Sequence, residues 1–252
     1  MMKTIFKALY LGVAMLIAAM IVVPHYLDRI YYEGPATDHF DSERFFNPGG
    51  GDLPLTGPNR YYTPKRIIRF FITDGRPEWP DDVPLTQSHP PARVNGEAMR
   101  VTWIGQATAL VQTQGLNILT DPIWSDRASP IPGLGPKRHR VPGVAFDDLP
   151  KIDVVLLSHS HYDHMDIPTL RMLWERDRPL IVTSLGNDTI LKGKGIDAVA
   201  RDWGQSVAIR PGIDVHVDRV HHWGARFGKD RNRMLWSGFT VTLPGGNLYF
   251  AG

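Results

Sequence analysis

Hydrophobic and polar positions divide the 252-residue chain into three textures. Residues 1–28 place Lys3 and Lys7 ahead of an uncharged apolar run, Ala8 to Val23. Counted with Ile5 and Phe6, that run approaches the ~20 residues a membrane-spanning helix needs. The same pattern suits a signal segment, but Val22, Val23 and Pro24 make a poor cleavage site, so a retained membrane anchor is favoured. Lys3 and Lys7 would stay cytoplasmic, leaving the globular part on the non-cytoplasmic, periplasmic side. Residues 29–98 show no sustained period of two or 3.6 and are rich in proline, glycine and aromatics. They predict an irregular segment that wraps a body rather than building its own core. Within it, "PKRIIRFFITD" suits a short helix with Ile67, Ile68 and Phe71 on one side. Phe70, Phe71 and Trp79 are expected in the core rather than on a lipid surface.

From Met99 the pattern becomes regular. Arg100 to Trp103, Ala109 to Gln112 and Leu116 to Thr120 are β-rich runs, with a turn at Gln114-Gly115, and predict an antiparallel meander. "IDVVLLS" is a continuous apolar run, as a strand buried on both faces requires. "DIPTLRMLWERD" predicts a helix with Asp166 as N-cap, Pro168 in the first turn and Ile167, Leu170 and Trp174 on one face. "PLIVTS" predicts another strand, and "NDTILKGKG" a short helix ending at glycine. Strands follow at "SVAI", "DVHVDRV", "LWSGFTVTL" and "NLYFA", the last two joined by a turn at Pro244-Gly245-Gly246-Asn247. This order predicts two packed sheets flanked by helices, a layered α/β domain over 99–252.

Composition narrows the chemistry. The formal charge is only +2, which argues against a nucleic-acid partner. There is no cysteine, so any metal must rest on nitrogen and oxygen ligands. Residues 158–166, "SHSHYDHMD", hold three histidines and two aspartates directly after the apolar strand. In an extended segment, His159, His161 and Asp163 face one way and His164 another. The spacing offers His159 and His161 to one metal and Asp163 and His164 to a second. Two such ions can share a bridging hydroxide and lower its pKa.

His-Ser-His-Tyr-Asp-His matches the HxHxDH signature of the metallo-β-lactamase superfamily. "VTWIGQATALVQTQGLNILTDPIWSDRASPIPGLGPKR", the later "HHW" and "LWSGFTVTLPGGNLYFAG" resemble the branch containing N-acyl-phosphatidylethanolamine-hydrolysing phospholipase D and its bacterial relatives. The upstream "GPATDHFDSERFFNP" is similar to bacterial members, so the resemblance runs from about residue 34 to the end. It implies a four-layer αββα sandwich with a dinuclear zinc site, other divalent metals being possible. His159, His161 and His222 would hold the first ion, and Asp163 and His164 the second. Asp121, in "TDP", would support the site by hydrogen-bonding a ligand histidine. His221, next to His222, faces away on strand alternation. Many relatives carry histidine where this sequence has Gln106, a change expected to tune substrate contacts. The resemblance also places a metal-bridging aspartate directly after Gly252 and a further histidine much later. A domain lacking both is expected to be incomplete at its C-terminus and to hold metal weakly.

These residues point to a membrane-anchored metal-dependent hydrolase. Asp163 would position the hydroxide and accept its proton. The resemblance implies a phosphodiester substrate, such as an N-acyl phospholipid, in phospholipase D-like chemistry. The same fold acting on a lactone, thioester or other ester is the first alternative; a non-catalytic membrane-bound remnant is the second. "GPKRHRVPG" groups Lys137, Arg138, His139 and Arg140 on a loop suited equally to solvent or to a phosphate or anionic lipid headgroup. His216 belongs to an outward strand face and is expected to be exposed.

Overall fold

The computed structural model describes residues 2–22, 31–50, 80, 83–130, 135–226 and 230–252. The helix expected in "PKRIIRFFITD" and the positions of Phe70, Phe71 and Trp79 lie outside these residues. Helix α1 spans Met2–Val22. The strands are β1 (Met99–Gly105), β2 (Thr108–Thr113), β3 (Leu116–Thr120), β4 (Val154–Leu157), β5 (Leu180–Ser184), β6 (Val199–Arg201), β7 (Ser206–Arg210), β8 (Ile213–Asp218), β9 (Gly238–Thr242) and β10 (Leu248–Phe250). Helix α2 spans Ile167–Asp177 and helix α3 Asn187–Lys192.

Six strands form the first sheet, in the order β1-β2-β3-β4-β5-β6. Its first three strands are the expected meander, and β3 to β6 run parallel. The β2–β3 hairpin turns at Gln114 and Gly115, both at positive φ (52° and 69°), the geometry that matches a two-residue turn to the strand twist. The second sheet is antiparallel, in the order β10-β9-β8-β7, and its β9–β10 turn falls at 244–247 as expected.

Side-chain alternation decides which layer each strand residue joins. Val154 and Leu156 of β4 point to the second sheet and meet Val215, Val217, Phe239 and Val241. Val155 and Leu157 point the other way, onto Leu170 and Leu173 of α2 and Ile190 and Leu191 of α3. Strand β4 is therefore apolar at every position because it is covered on both faces, and each fully buried aliphatic side chain contributes about 1.5–3 kcal/mol. Strand β6, which the sequence pattern did not predict, adds a short edge beside β5.

Three expectations need correction. First, the described residues supply the helix, sheet and sheet of the layered fold, but the outward face of the second sheet is less open than expected. The outer face of the second sheet carries Asp214, His216, Asp218, Thr240 and Thr242, all half-buried, beside the exposed Tyr249. His216 is thus half-buried rather than exposed, with its Nδ1 2.6 Å from Ser206 Oγ.

Second, no helix among the described residues is long and apolar enough to cross a membrane. The spanning anchor expected in residues 1–28 is therefore not found. With Lys3 and Lys7 in its first two turns, the uncharged part of α1 runs from residue 8 to 22, about 22 Å at 1.5 Å per residue, against a ~30 Å hydrocarbon core.

Third, Asp166 occupies the N-cap position of α2 but its side chain makes no cap bond. Its carboxylate instead accepts from Ser125 N and Oγ (3.1 and 2.8 Å), from Trp124 N (3.3 Å) and from Thr169 Oγ1 (2.5 Å). The cap residue thus fastens the loop after β3 to the start of α2.

The segment 31–50 is coil, as its composition predicts, yet it contributes core. Phe40 and Phe45 are each 1 % exposed and pack with Leu235 and Trp236. Phe45→Ala is expected to cost about 3–5 kcal/mol, measured as a shift of the denaturation midpoint. An unchanged midpoint would show that this segment is a dispensable appendage.

Candidate metal centre

Strands β3 and β4 run parallel and end at the same edge of the first sheet. Asp121 follows the last residue of β3; Ser158 and His159 follow the last of β4. Asp121 N donates to Leu156 O (2.9 Å), and Asp121 accepts from Ser158 N at Oδ1 (2.7 Å) and from Ser158 Oγ at Oδ2 (2.5 Å). Asp121 is fully buried and sits at φ +30°, an uncommon backbone conformation that costs of order 1–3 kcal/mol. The charge-assisted bonds to its carboxylate offset that strain.

This arrangement sets the tautomer of His159. The Ser158 hydroxyl donates to a carboxylate, so it accepts from His159 Nδ1, 2.8 Å away. His159 then carries its proton on Nδ1 and presents a bare Nε2. His161 Nδ1 lies 2.8 Å and His222 Nε2 3.2 Å from that nitrogen. His222 arrives from the segment after β8, so the two sheets deliver the three rings to one point. Ring nitrogens this close repel through their lone pairs unless a proton or a cation lies between them. Burial holds His159 well below the ordinary histidine pKa, brings His161 down to about 4, and lowers His222. All three are neutral near pH 7, the form that ligates a metal. His159, His161 and His222 could therefore hold one divalent ion.

A second locus adjoins the first. His164 Nδ1 donates to Asp121 Oδ2 at 2.6 Å, which leaves Nε2 facing outward, 3.6 Å from Asp163 Oδ2. Burial alone would lower the pKa of His164. The hydrogen bond to Asp121 and the charges of Asp121 and Asp163 outweigh burial and raise it. Asp121, His159 and His164 also bring donor atoms within 4.8 Å of one another, although both oxygens of Asp121 already accept hydrogen bonds.

The expected side alternation holds from His159 to His161 and then stops. His164 N and Met165 N both donate to His161 O (3.1 and 2.7 Å), so the chain turns there. Asp163 is carried to the rim and His164 in toward Asp121. His221 is exposed, its Nε2 donating to Gly50 O at 3.3 Å, away from the three-histidine point.

Four further residues shape the site. Asn47 Nδ2 donates to His222 O (2.8 Å) and its Oδ1 accepts from His222 N (3.3 Å), pinning that histidine from the wrapping segment. Arg226, 7 % exposed, donates through Nη1 to Ser160 O and Met165 O (2.9 and 3.0 Å), bracing both ends of the turn. Gln106 Nε2 donates to Asp163 Oδ2 at 2.9 Å. The Arg231 guanidinium lies over the Trp223 ring at 4.1 Å, and that ring packs on His161. Gln106 was visible in the sequence as a departure from the resembled pattern. The other three carry no local signal, because each acts across a long sequence separation or through backbone atoms.

A family model, the beta-lactamase superfamily domain, matches residues 116–252, and the chain belongs to that family. An uncharacterized protein of Mycobacterium tuberculosis is 38% identical over 162 residues, covering 62% of this chain and 43% of the relative. The N-acyl-phosphatidylethanolamine-hydrolyzing phospholipase D 1 of Caenorhabditis elegans is 35% identical over 161 residues, covering 60% of this chain and 45% of that protein. The alignments thus span less than half the length of these curated relatives. Among solved structures, Igni18, a metallo hydrolase from Ignicoccus hospitalis, aligns with a TM-score of 0.45 at 20% identity, over 61% of this chain and 60% of that one.

The depressed pKa of His161 has a signed consequence. Between its ordinary value of 6.5 and about 4, the unfolded chain takes up a proton at this residue that the folded chain refuses. The metal-free protein is therefore expected to lose stability as pH falls through that window. His161→Asn should show a shallower fall in melting temperature between pH 6.5 and 4.5, and equal slopes would place His161 in an ordinary solvated environment.

Proposed function

We propose that the protein is a divalent-metal-dependent hydrolase that cleaves a phosphodiester, with an N-acylated phospholipid as the substrate class. The observation that carries this reading is the convergence of three neutral histidine nitrogens beside the His164–Asp163 pair. The donor set is nitrogen-rich and lacks thiolate, which suits zinc first among divalent ions. His159, His161 and His222 would hold one ion; His164 and Asp163 would contribute to a second. When bound, the ions acidify water and polarise the scissile group.

The protein's own groups supply orientation and proton handling. Ser158 and Asp121 fix the His159 ring, and Asp121 fixes His164, so neither ligand needs to reorganise. Asp163, 42 % exposed at the rim and hydrogen-bonded to Gln106, orients the attacking water and receives its proton. Arg231, stacked on Trp223 beside His161, presents positive charge where negative charge develops on the phosphoryl oxygens. The relative named as a phospholipase D supports a lipid diester over other esters.

The test is hydrolysis by the full-length protein, metal-depleted and then reloaded with zinc, manganese or iron. The panel holds a nitrophenyl phosphodiester, vesicles bearing N-acyl phosphatidylethanolamine, a lactone and a thioester. Restored diester cleavage is expected. His159→Ala should remove stoichiometric metal, and Asp163→Asn should lower kcat by about 10²–10⁴-fold while metal at the histidine triad is retained. Cleavage of the lactone or thioester alone would overturn the substrate class, and turnover unaffected by chelation would overturn the metal reading.

A further inference from the structure

Beside the metal centre lies a cavity of about 780 Å³ that the hydrolytic reading does not use. One wall is the rim of that centre, with Gln106, Tyr162 and Asp163. The loop carrying Lys137, Arg138 and Arg140 lines the cavity as well. The loop is partly exposed, at Lys137, but is held in place. Arg127 and Lys137 form an isolated antiparallel bridge, and Arg138 N donates to Asp126 O at 2.7 Å. The Arg140 guanidinium lies over the Trp103 ring at 3.7 Å, and Trp103 Nε1 donates to Gln106 O at 2.9 Å. One tryptophan therefore positions both a cation of the loop and the residue that holds Asp163.

Arg138 is the most constrained of the three cations. Its Nη2 donates to Ile123 O (2.9 Å), and its Nη1 packs against Gly105, where a Cβ would stand only 2.9 Å away. Its Nε is buried and has no hydrogen-bond partner among the described residues. A buried donor without an acceptor costs about 1–3 kcal/mol, more when charged. Burial lowers the pKa of this guanidinium, against the raising charges of Asp126 and Asp166, so an added anion would stabilise it. Two carboxylates share the cavity, Asp126 behind Arg138 and Asp163 at the far rim, already engaged by Gln106. Away from the metal end the balance of charge is positive.

We propose that this cavity is a second anion subsite, which takes a phosphate-class oxyanion carried by the substrate beside the bond cleaved at the metal centre. The assignment rests on the hydrolytic reading for its place in turnover, but not for binding itself. Planar guanidinium groups and an ammonium on one wall match the oxygens of a phosphate. Trp103 and Ile123, which also line the cavity, give the attached organic part an apolar surface. Within the proposed class, phospholipids that carry a further phosphate beside the scissile diester are therefore selected over those with the diester alone.

Calorimetric titration of the chelator-treated protein with inorganic phosphate reads the subsite without the metal centre. One binding site is expected, weakened at least tenfold in the Lys137→Gln/Arg140→Gln double variant; Arg138, built into the fold, is left intact. Absence of binding, or binding indifferent to the double substitution, overturns the proposal. Cosedimentation with phosphatidylcholine vesicles, with and without phosphatidic acid, distinguishes the source. Loss of phosphatidic acid-dependent binding in the variant assigns a lipid headgroup, and phosphate binding without vesicle binding assigns a soluble phosphate ester. In turnover, the ratio of kcat/KM for a nitrophenyl diester with and without a second phosphate should fall about tenfold in the variant. A protein that binds phosphate through this loop yet hydrolyses neither diester overturns the hydrolase reading and leaves the subsite standing.

Discussion

One buried carboxylate organises the centre. Asp121 accepts hydrogen bonds from Ser158 N, Ser158 Oγ and His164 Nδ1, while its own backbone amide reaches Leu156 O. These bonds join the end of β3 to the end of β4, set the proton position of His159 through the Ser158 hydroxyl, and hold His164 in place. A carboxyl group at zero exposure is tolerable only when such donors surround it. The positive φ of Asp121 belongs to the same constraint, because the turn that buries the carboxylate also aims it.

The layered architecture then explains where the remaining ligand comes from. Parallel strands deliver Asp121 and the histidine loop to one edge of the first sheet, and the second sheet must bring His222 to that edge. Ser237 N donates to Ser158 O at 3.0 Å, and Ser184 Oγ to Leu235 O at 2.8 Å, so the sheets are tied together directly behind the site. The wrapping segment completes the tie through Asn47 on His222 and through Phe40 and Phe45 on Trp236. A coil segment thus helps to hold His222 in place.

Charge is distributed with similar economy. Near the histidines it is kept low by burial, which leaves the rings neutral and fit to ligate. On the neighbouring cavity wall it is concentrated, with arginines held by Trp103 and by the carbonyl of Ile123. The two environments meet at Gln106 and Asp163, where a neutral amide separates the carboxylate from the basic loop.

Much of this was legible in the sequence. The meander, the doubly covered strand β4, helices α2 and α3, and the strands of the second sheet follow from periodicity and turn residues, because those signals are local. The clustering of His159, His161, Asp163 and His164 was also local, and the resemblance supplied His222 and Asp121. Tertiary structure alone decided the rest. The turn at His161 sends Asp163 and His164 in directions that alternation does not give, because backbone bonds to His161 O replace the extended chain. Asp166 turns its carboxylate to a distant loop as well as to Thr169 of its own helix, Asn47 reaches across 175 residues to His222, and Arg226 grips carbonyl oxygens, which carry no sequence identity. Local pattern determines which elements form and which chemistry is on hand. Long-range packing and burial determine which atoms meet, which rings stay neutral, and where the protons sit.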